Sequence, residues 1–278
     1  MSSLTISPYS FDRNEEVLNL LHRVFDPWSG DADYFTWKYM GFPVTDCPFP
    51  RGWVMEQKGE IVAFNGYLPR KIKVGDKSVW SLQSFDTVTS PDCRGQGLFG
   101  LLQDLIYKEV AKRGIPWIYG WTSEIGFKVF TGKMGWKIWG QQHYLMRILN
   151  PQWFMQEKFK NSFLANCAAL AMDNYFRPAP VSPAWNGKIT EESNFPQQTT
   201  CLCREWANNF ELIAIRDREY LNWRLSNPLT KQRLFCAYDE NKEYKENKMS
   251  AYAVIHISDD KIMDISDCAW LCKNTWAA

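Results

Sequence analysis

Charge of one sign is missing from this 278-residue chain: Lys and Arg number 32 against 31 Asp and Glu, a formal net charge of +1. No global field therefore draws it to nucleic acid or to an anionic membrane. No stretch approaches the roughly 18 consecutive apolar residues that span a bilayer, and the opening residues 1–6 lack the basic segment and apolar run of an export leader. The expectation is a cytoplasmic protein with no membrane span. Histidine is scarce at three residues, and none of the eight cysteines forms a C-x-x-C pair, so no metal site is expected and the thiols read as reduced and mostly packed. What is present is ordinary globular composition, 45% hydrophobic and 23% charged, with an aromatic excess that includes 14 Trp. That excess suits a well-filled core with an apolar cleft. At about 150 residues per domain, the length gives one large domain or two compact ones.

Apolar spacing at Val17, Leu18, Leu20, Leu21, Val24 and Phe25 predicts a helix over 12–25, and a second helix covers 32–39 before Gly41 and Pro43. Strands are expected over 53–55 and 61–68, joined by the turn-rich residues 57–60, and over 71–74 and 78–88 around Gly75-Asp76. Together these make an antiparallel meander. The period changes at residue 94, where a glycine-rich stretch gives way to one apolar helical face, Leu101, Leu102, Leu105, Ile106 and Val110, ended by Gly114 and Pro116. A strand over 117–122, a helix over 125–134 and a strand over 136–139 follow. The fold class is therefore α/β with a mixed sheet.

The chain echoes itself at an offset of 186. Tyr34-Phe35-Thr36-Trp37-Lys38-Tyr39 with Pro43 behind it resembles Tyr220-Leu221-Asn222-Trp223-Arg224-Leu225 with Pro228 behind it. Strand patterns follow each: 234–238, 250–257 and 262–270 in the second half. The expected organisation is a first domain over 1–150, a helical connector over 151–185 that ends in Pro178, Pro180 and Pro183, and a partial repeat over 186–278 without the glycine-rich turn. One active site per chain follows from that.

Arg94-Gly95-Gln96-Gly97-Leu98-Phe99-Gly100 joins a strand to a helix. Glycines let backbone turn sharply and approach a ligand, and the first N–H groups of the next helix lack internal acceptors, a geometry that binds phosphate. The stretch is neither a P-loop, which needs Gly-Lys-Ser/Thr, nor a dinucleotide fingerprint. Residues 87–102, Thr-Val-Thr-Ser-Pro-Asp-Cys-Arg-Gly-Gln-Gly-Leu-Phe-Gly-Leu-Leu, resemble the acyl-CoA-binding segment of the GNAT acetyltransferase superfamily, with its Gln/Arg-x-x-Gly-x-Gly/Ala pattern. Arg94 and Gly97 fit it, and Phe99 departs from the final small residue. The element order over 1–150 fits the same family.

The resemblance implies a GNAT fold and an acyl-CoA-dependent N-acetyltransferase. Acetyl-CoA would lie along Thr87, Val88, Thr89, Arg94, Gly95, Gln96, Gly97, Leu98, Phe99 and Gly100, with Ser123 and Phe130 beside it. The strands over 82–88 and 117–122 would splay to admit the pantetheine arm. Asp86 and Glu124 are the candidate general bases, each also readable as a solvated or capping carboxylate. Where many relatives carry a tyrosine that protonates the leaving thiolate, this chain has Thr131, with Tyr119 and Tyr144 as possible substitutes. The acceptor would be the amine of a small molecule or an amino sugar. The competing expectation is a catalytically weak or inactive CoA-binding sensor or scaffold; a transfer-RNA-dependent aminoacyl transferase would want a basic groove that the charge balance does not supply. Cys93 offers a covalent alternative, while His22, His143, His256 and the pairs Arg70-Lys71 and Lys112-Arg113 read as structural or solvated.

Overall fold

The computed structural model describes residues 4–25, 30–43, 46–47, 49–140, 150–159, 162–175, 187–239, 248–258 and 262–271. By contact the chain divides into two compact units, one made of residues 1–134 with 187–278, the other of 135–186. By this division the segments expected as separate domains, 1–150 and 186–278, fall largely in one unit, and the residues after Gly135 group with the helical segment.

The larger unit opens with β1 (Leu4–Pro8), α1 (Asn14–Val24) and α2 (Ala32–Tyr39), then β2 (Gly52–Gln57), β3 (Glu60–Val74) and β4 (Lys77–Thr89). These are followed by α3 (Leu98–Lys112), β5 (Trp117–Tyr119) and α4 (Glu124–Gly132). The other unit holds α5 (Pro151–Lys158) and α6 (Ser162–Tyr175), which pack on each other. The chain then returns through β6 (Lys188–Glu192), α7 (Thr199–Ala207), β7 (Leu212–Ala214), α8 (Arg218–Leu225), β8 (Gln232–Asp239), β9 (Lys248–Ile257) and β10 (Met263–Trp270).

Two sheets result. The first runs β1-β2-β3-β4-β5, antiparallel except for the parallel β4–β5 pair, and β7 adds to the far end of β3 through Ile72–Val74. The second is antiparallel, β10-β9-β8-β6. β1-α1-α2-β2-β3-β4 and β6-α7-α8-β8-β9-β10 thus present the same order of strand, two helices and three-strand meander, with β7 inserted in the second.

Each face of the first sheet has its own core. On one, α3 buries Leu98, Leu102, Ile106 and Val110 at one-turn spacing against Trp53, Met55, Tyr67 and Leu82. Each such burial is worth about 1.5–3 kcal/mol. On the other, α1 and α2 pack Leu20, Leu21, Phe35 and Tyr39 into a cluster that continues into Leu202, Leu221, Leu234 and Val254 of the second half. One apolar core therefore serves both sheets.

Several expected elements differ. The runs 61–68 and 71–74 form one strand, β3. Pro69 is tolerated inside it because β2 has ended at Gly66 and β7 begins only at Ile72, leaving a stretch of edge where no ladder N–H is required. Of 117–122 only 117–119 form strand, and 136–139 is irregular and largely exposed although its apolar pattern suggested a strand. The helical connector expected over 151–185 holds two helices, 151–158 and 162–175, among its described residues. β1, β6, α7 and β7 were not expected at all. The proline-rich 178–183 stretch lies outside the described residues.

Candidate active site

The site begins with a fork. β4 and β5 pair only at Ser81–Trp117, Leu82–Ile118 and Gln83–Tyr119. Beyond that, β4 continues to Thr89 while β5 has stopped, so Phe85–Thr89 present a strand edge that β5 does not cover. A bulge lies in the diverging part. Phe64 faces Val88 and Gly66 faces Phe85, which leaves one extra residue in β4, and Asp86 takes a left-handed φ of 43°. Such a bulge bends its strand and re-aims its side chains.

After β4 a short 3-10 turn, Pro91–Cys93, delivers the chain to Arg94, whose N–H donates to the Pro91 carbonyl at 3.3 Å. Gly95 and Gly97 adopt φ of 77° and 76°, a region that costs other residues about 1–2 kcal/mol. A Cβ at either would meet nothing within 4 Å, so these glycines serve backbone conformation and the space above them is open. Gly97 is the N-cap of α3, and Leu101 is the first residue of that helix to donate inward, to the Gly97 carbonyl at 3.1 Å. Among the described residues, the N–H groups of 95–100 have no backbone acceptor. They lie at the positive end of a 15-residue helix, at an exposed turn. An anion with several acceptor oxygens satisfies such a cluster.

The two candidate carboxylates occupy unlike settings. Asp86 Oδ2 accepts from Lys38 Nζ and from the Tyr39 hydroxyl, each at 2.7 Å, and the side chains of Lys38 and Asp86 are only 7% and 12% exposed. Gly66 permits this, since a Cβ there would overlap the Tyr39 hydroxyl. Burial and the neighbouring Asp86 charge push the Tyr39 phenol well above its ordinary pKa, so it remains a donor. Glu124 instead opens α4 at the surface and, among the described residues, pairs only with Lys128, at 3.2 Å. Ser123 caps α4 by accepting from the Gly126 N–H at 3.3 Å.

Phe130 of α4 meets Phe99 of α3 edge-to-face, with ring centroids 5.6 Å apart, so the helix after the turn and the helix after the fork touch. Thr131 spends its hydroxyl on the Phe127 carbonyl at 2.7 Å. The Tyr119 hydroxyl donates to Gln83 Oε1 at 3.3 Å, and burial raises its pKa. Cys93 is half-buried, with Sγ 3.8 Å from Gln57 Oε1. His22 and His256 each face a backbone carbonyl, of Gly30 at 2.9 Å and of Lys231 at 3.1 Å. Tyr144 and His143 lie outside the described residues.

Sequence reasoning missed the polar network beneath the bulge. Asn65, fully buried, donates to the Tyr67 hydroxyl at 2.8 Å and accepts from Ser84 at 3.2 Å and Thr87 at 3.0 Å; Tyr67 in turn donates to Gln103 at 3.3 Å. These contacts cross three elements, and only the register of β3 against β4 brings them together. Among the described residues no cluster of His, Cys, Asp and Glu could hold a metal, and no helix is long and apolar enough to cross a membrane.

A family model described as an acetyltransferase (GNAT) domain matches residues 5–139. No curated protein sequence matches the chain. Among solved structures, a conserved protein of unknown function from Enterococcus faecalis V583, described as a probable N-acyltransferase, superposes with a TM-score of 0.65 at 10% identity, covering 97% of this chain and 59% of that one. A GCN5-related N-acetyltransferase from Kribbella flavida gives 0.58 at 13%, covering 98% and 58%. Saccharomyces cerevisiae N-myristoyltransferase with bound myristoyl-CoA gives 0.50 at 14%, covering 97% and 66%. This chain thus spans about three-fifths of the length of the first two structures. Its own fold is the mixed α/β GNAT fold.

Proposed function

We propose that the chain is an acyl-CoA-dependent N-acyltransferase that moves an acetyl group from acetyl-CoA to the amine of a small molecule or amino sugar by direct attack. The observation that carries this reading is the open turn over 94–100, with its unpaired N–H groups, set beside a strand fork whose β4 edge is free. An acyl-CoA supplies a thioester, whose carbonyl carbon is the electrophile. The residues present suit it: the N–H groups of 96–100 bind and orient a pyrophosphate, aided by the α3 dipole. The free edge at Thr87, Val88 and Thr89 aligns an amide-bearing arm, and an N–H on that edge stabilises charge as it develops on the carbonyl oxygen.

The acceptor reaches this point as an ammonium and must lose a proton before it attacks. Glu124 is assigned that role, because it is accessible and its only ion pair is an exposed one. Asp86 is assigned a positioning role, its carboxylate holding Lys38 and Tyr39 and thereby the bulge. As the C–N bond forms the C–S bond breaks, and the departing thiolate takes a proton from solvent or from the Tyr119 phenol. The second half, residues 186–278, is read as a partial repeat of the first. The matching element order and the paired tryptophans Trp37 and Trp223 support this.

Isothermal titration with CoA and acetyl-CoA, together with thiol release over a panel of amines, tests the reading. Binding with turnover is expected, with loss of both in Gly97→Glu, which strains the backbone and puts a negative charge among the N–H groups. Binding without thiol release would favour the sensor. No binding by the wild type, or no effect of Gly97→Glu, would end the assignment.

A further inference from the structure

A cleft of ≈ 150 Å³ lies beside the closed end of the fork, where α8 approaches β3 and β4. That space is worth about five water molecules, enough for a carboxylate and a short carbon stub and too little for a nucleotide. Its wall includes Arg70, which is 6% exposed. The guanidinium carbon lies over the Tyr220 ring, 3.6 Å from the centroid, and the group donates through Nη2 to the Ile215 carbonyl at 3.2 Å. Of its five N–H groups that bond uses one, and no carboxylate among the described residues lies within ion-pair distance. Among the described residues the other cation lining this cleft is Lys71, which pairs with Asp46 of the same lining at 3.2 Å and lies over the Trp80 ring.

A buried guanidinium without a counter-ion is costly unless something arrives to pair it. The fork is close by. Tyr119, in the last β4–β5 pair, has its pKa raised by burial, and the Arg70 charge opposes that rise. We propose that Arg70, backed by Tyr220, is the acceptor-specificity site of the transferase, binding the carboxylate of an amino-acid-like amine. The planar fork of N–H groups matches a carboxylate bidentately. Asp217 and Glu219 line the same cleft and oppose a dianionic phosphate more than a monoanion. An amino acid, carrying its own ammonium, brings no net charge to this mixed lining. The proposal rests on the acyltransferase reading and narrows its acceptor.

The test uses matched amines: lysine with lysinamide, glycine with glycinamide, then glucosamine and phosphoethanolamine, each with acetyl-CoA. The wild type is expected to prefer the carboxylated member of a pair by about 10- to 100-fold in kcat/KM, the range of a lost charged hydrogen-bond pair. Arg70→Gln should abolish that preference, mainly through KM, while CoA affinity by titration is kept; Arg70→Lys should retain part of it. Saturation-transfer NMR of wild-type protein with the same pairs reads carboxylate binding even if Arg70→Gln fails to fold. Equal use of acid and amide, or a preference for glucosamine or phosphoethanolamine, overturns the proposal. Absence of CoA binding would instead indict the acyltransferase reading, and carboxylate binding by NMR would then still stand or fall on its own.

Discussion

The two halves of the chain run the same opening order of elements around one core, and they differ around the glycine-rich turn. In each, an aspartate caps the aromatic helix one turn in: Asp31 accepts from the Tyr34 N–H and Asp217 from the Tyr220 N–H, both at 2.8 Å. In each, a cation on that helix pairs with an aspartate on the last meander strand, Lys38 with Asp86 at 2.7 Å and Arg224 with Asp267 at 3.5 Å. A tyrosine hydroxyl also donates to each aspartate, Tyr39 in the first half and Tyr252 in the second, the latter at 2.9 Å. A bulge accompanies both aspartates. Among the described residues, the glycine-rich turn follows only the first of these strands. Since Asp267 makes the same arrangement, the comparison favours the positioning role proposed for Asp86.

The halves also meet face to face. The rings of Trp37 and Trp223 stack 4.5 Å apart and 8° from parallel, and each indole N–H donates to the other residue's carbonyl, at 2.8 and 2.9 Å. Reciprocal bonding of this kind is the mark of a two-fold contact between like surfaces.

The sharpest way to break the comparison is at the aspartates. Asp267→Ala leaves Arg216 and Arg224 without their carboxylate and should cost about 3–5 kcal/mol in urea unfolding, with Asp86→Ala slightly less because one cation rather than two is stranded. If Asp86→Asn kept stability but lost all turnover, the architectural assignment would fail. Next come the tryptophans. Trp37→Ala and Trp223→Ala should each cost about 3 kcal/mol, with a coupling of about 1–3 kcal/mol in the double-mutant cycle. Unequal single losses would break the symmetry.

A smaller, purely kinetic effect is expected at Glu124. Its substitution by Gln should lower kcat by about 10²-fold at neutral pH with CoA affinity and unfolding midpoint unchanged, whereas a solvated carboxylate would leave kcat alone. The smallest effect is one of thiol reactivity beyond the first half. Burial pushes Cys203 up to about 11 and Cys236 up to about 12, so both stay protonated and unlabelled by a thiol reagent at pH 8, while exposed Cys167 and Cys201 react. The sign for stability follows: the unfolded thiols ionise first, so stability falls as pH rises from about 9 towards those raised values.

What the sequence made legible was local. The helix over 32–39 and its echo at 186 residues' remove stand on caps and aromatic spacing, and the turn over 94–100 stands on glycines whose left-handed backbone no other residue adopts cheaply. A splay of strands over 82–88 and 117–122 was expected from family likeness; the β4–β5 ladder covers 81–83 and β5 ends at Tyr119. Short strands were missed because three to five residues carry too little pattern; β7 exists only because the far end of β3 offers it an edge. The ion pair of Asp86 was out of reach for another reason. It spans 48 residues and depends on a one-residue bulge, on Gly66 and on the tyrosine that Gly66 lets in.

That borrowed edge reaches further than its three residues suggest. Ile72, Lys73 and Val74 find their hydrogen-bonding neighbours at 212–214, and the Gly75 N–H finds the Glu211 carbonyl at 2.8 Å. A fragment stopping before residue 200 would carry the whole glycine-rich turn yet leave a ribbon of unsatisfied amides and half an oily interior facing water. Such a piece would stick to its own kind, so the first half is not a portable module, and melting of the intact polypeptide should register as one calorimetric peak spanning both sheets.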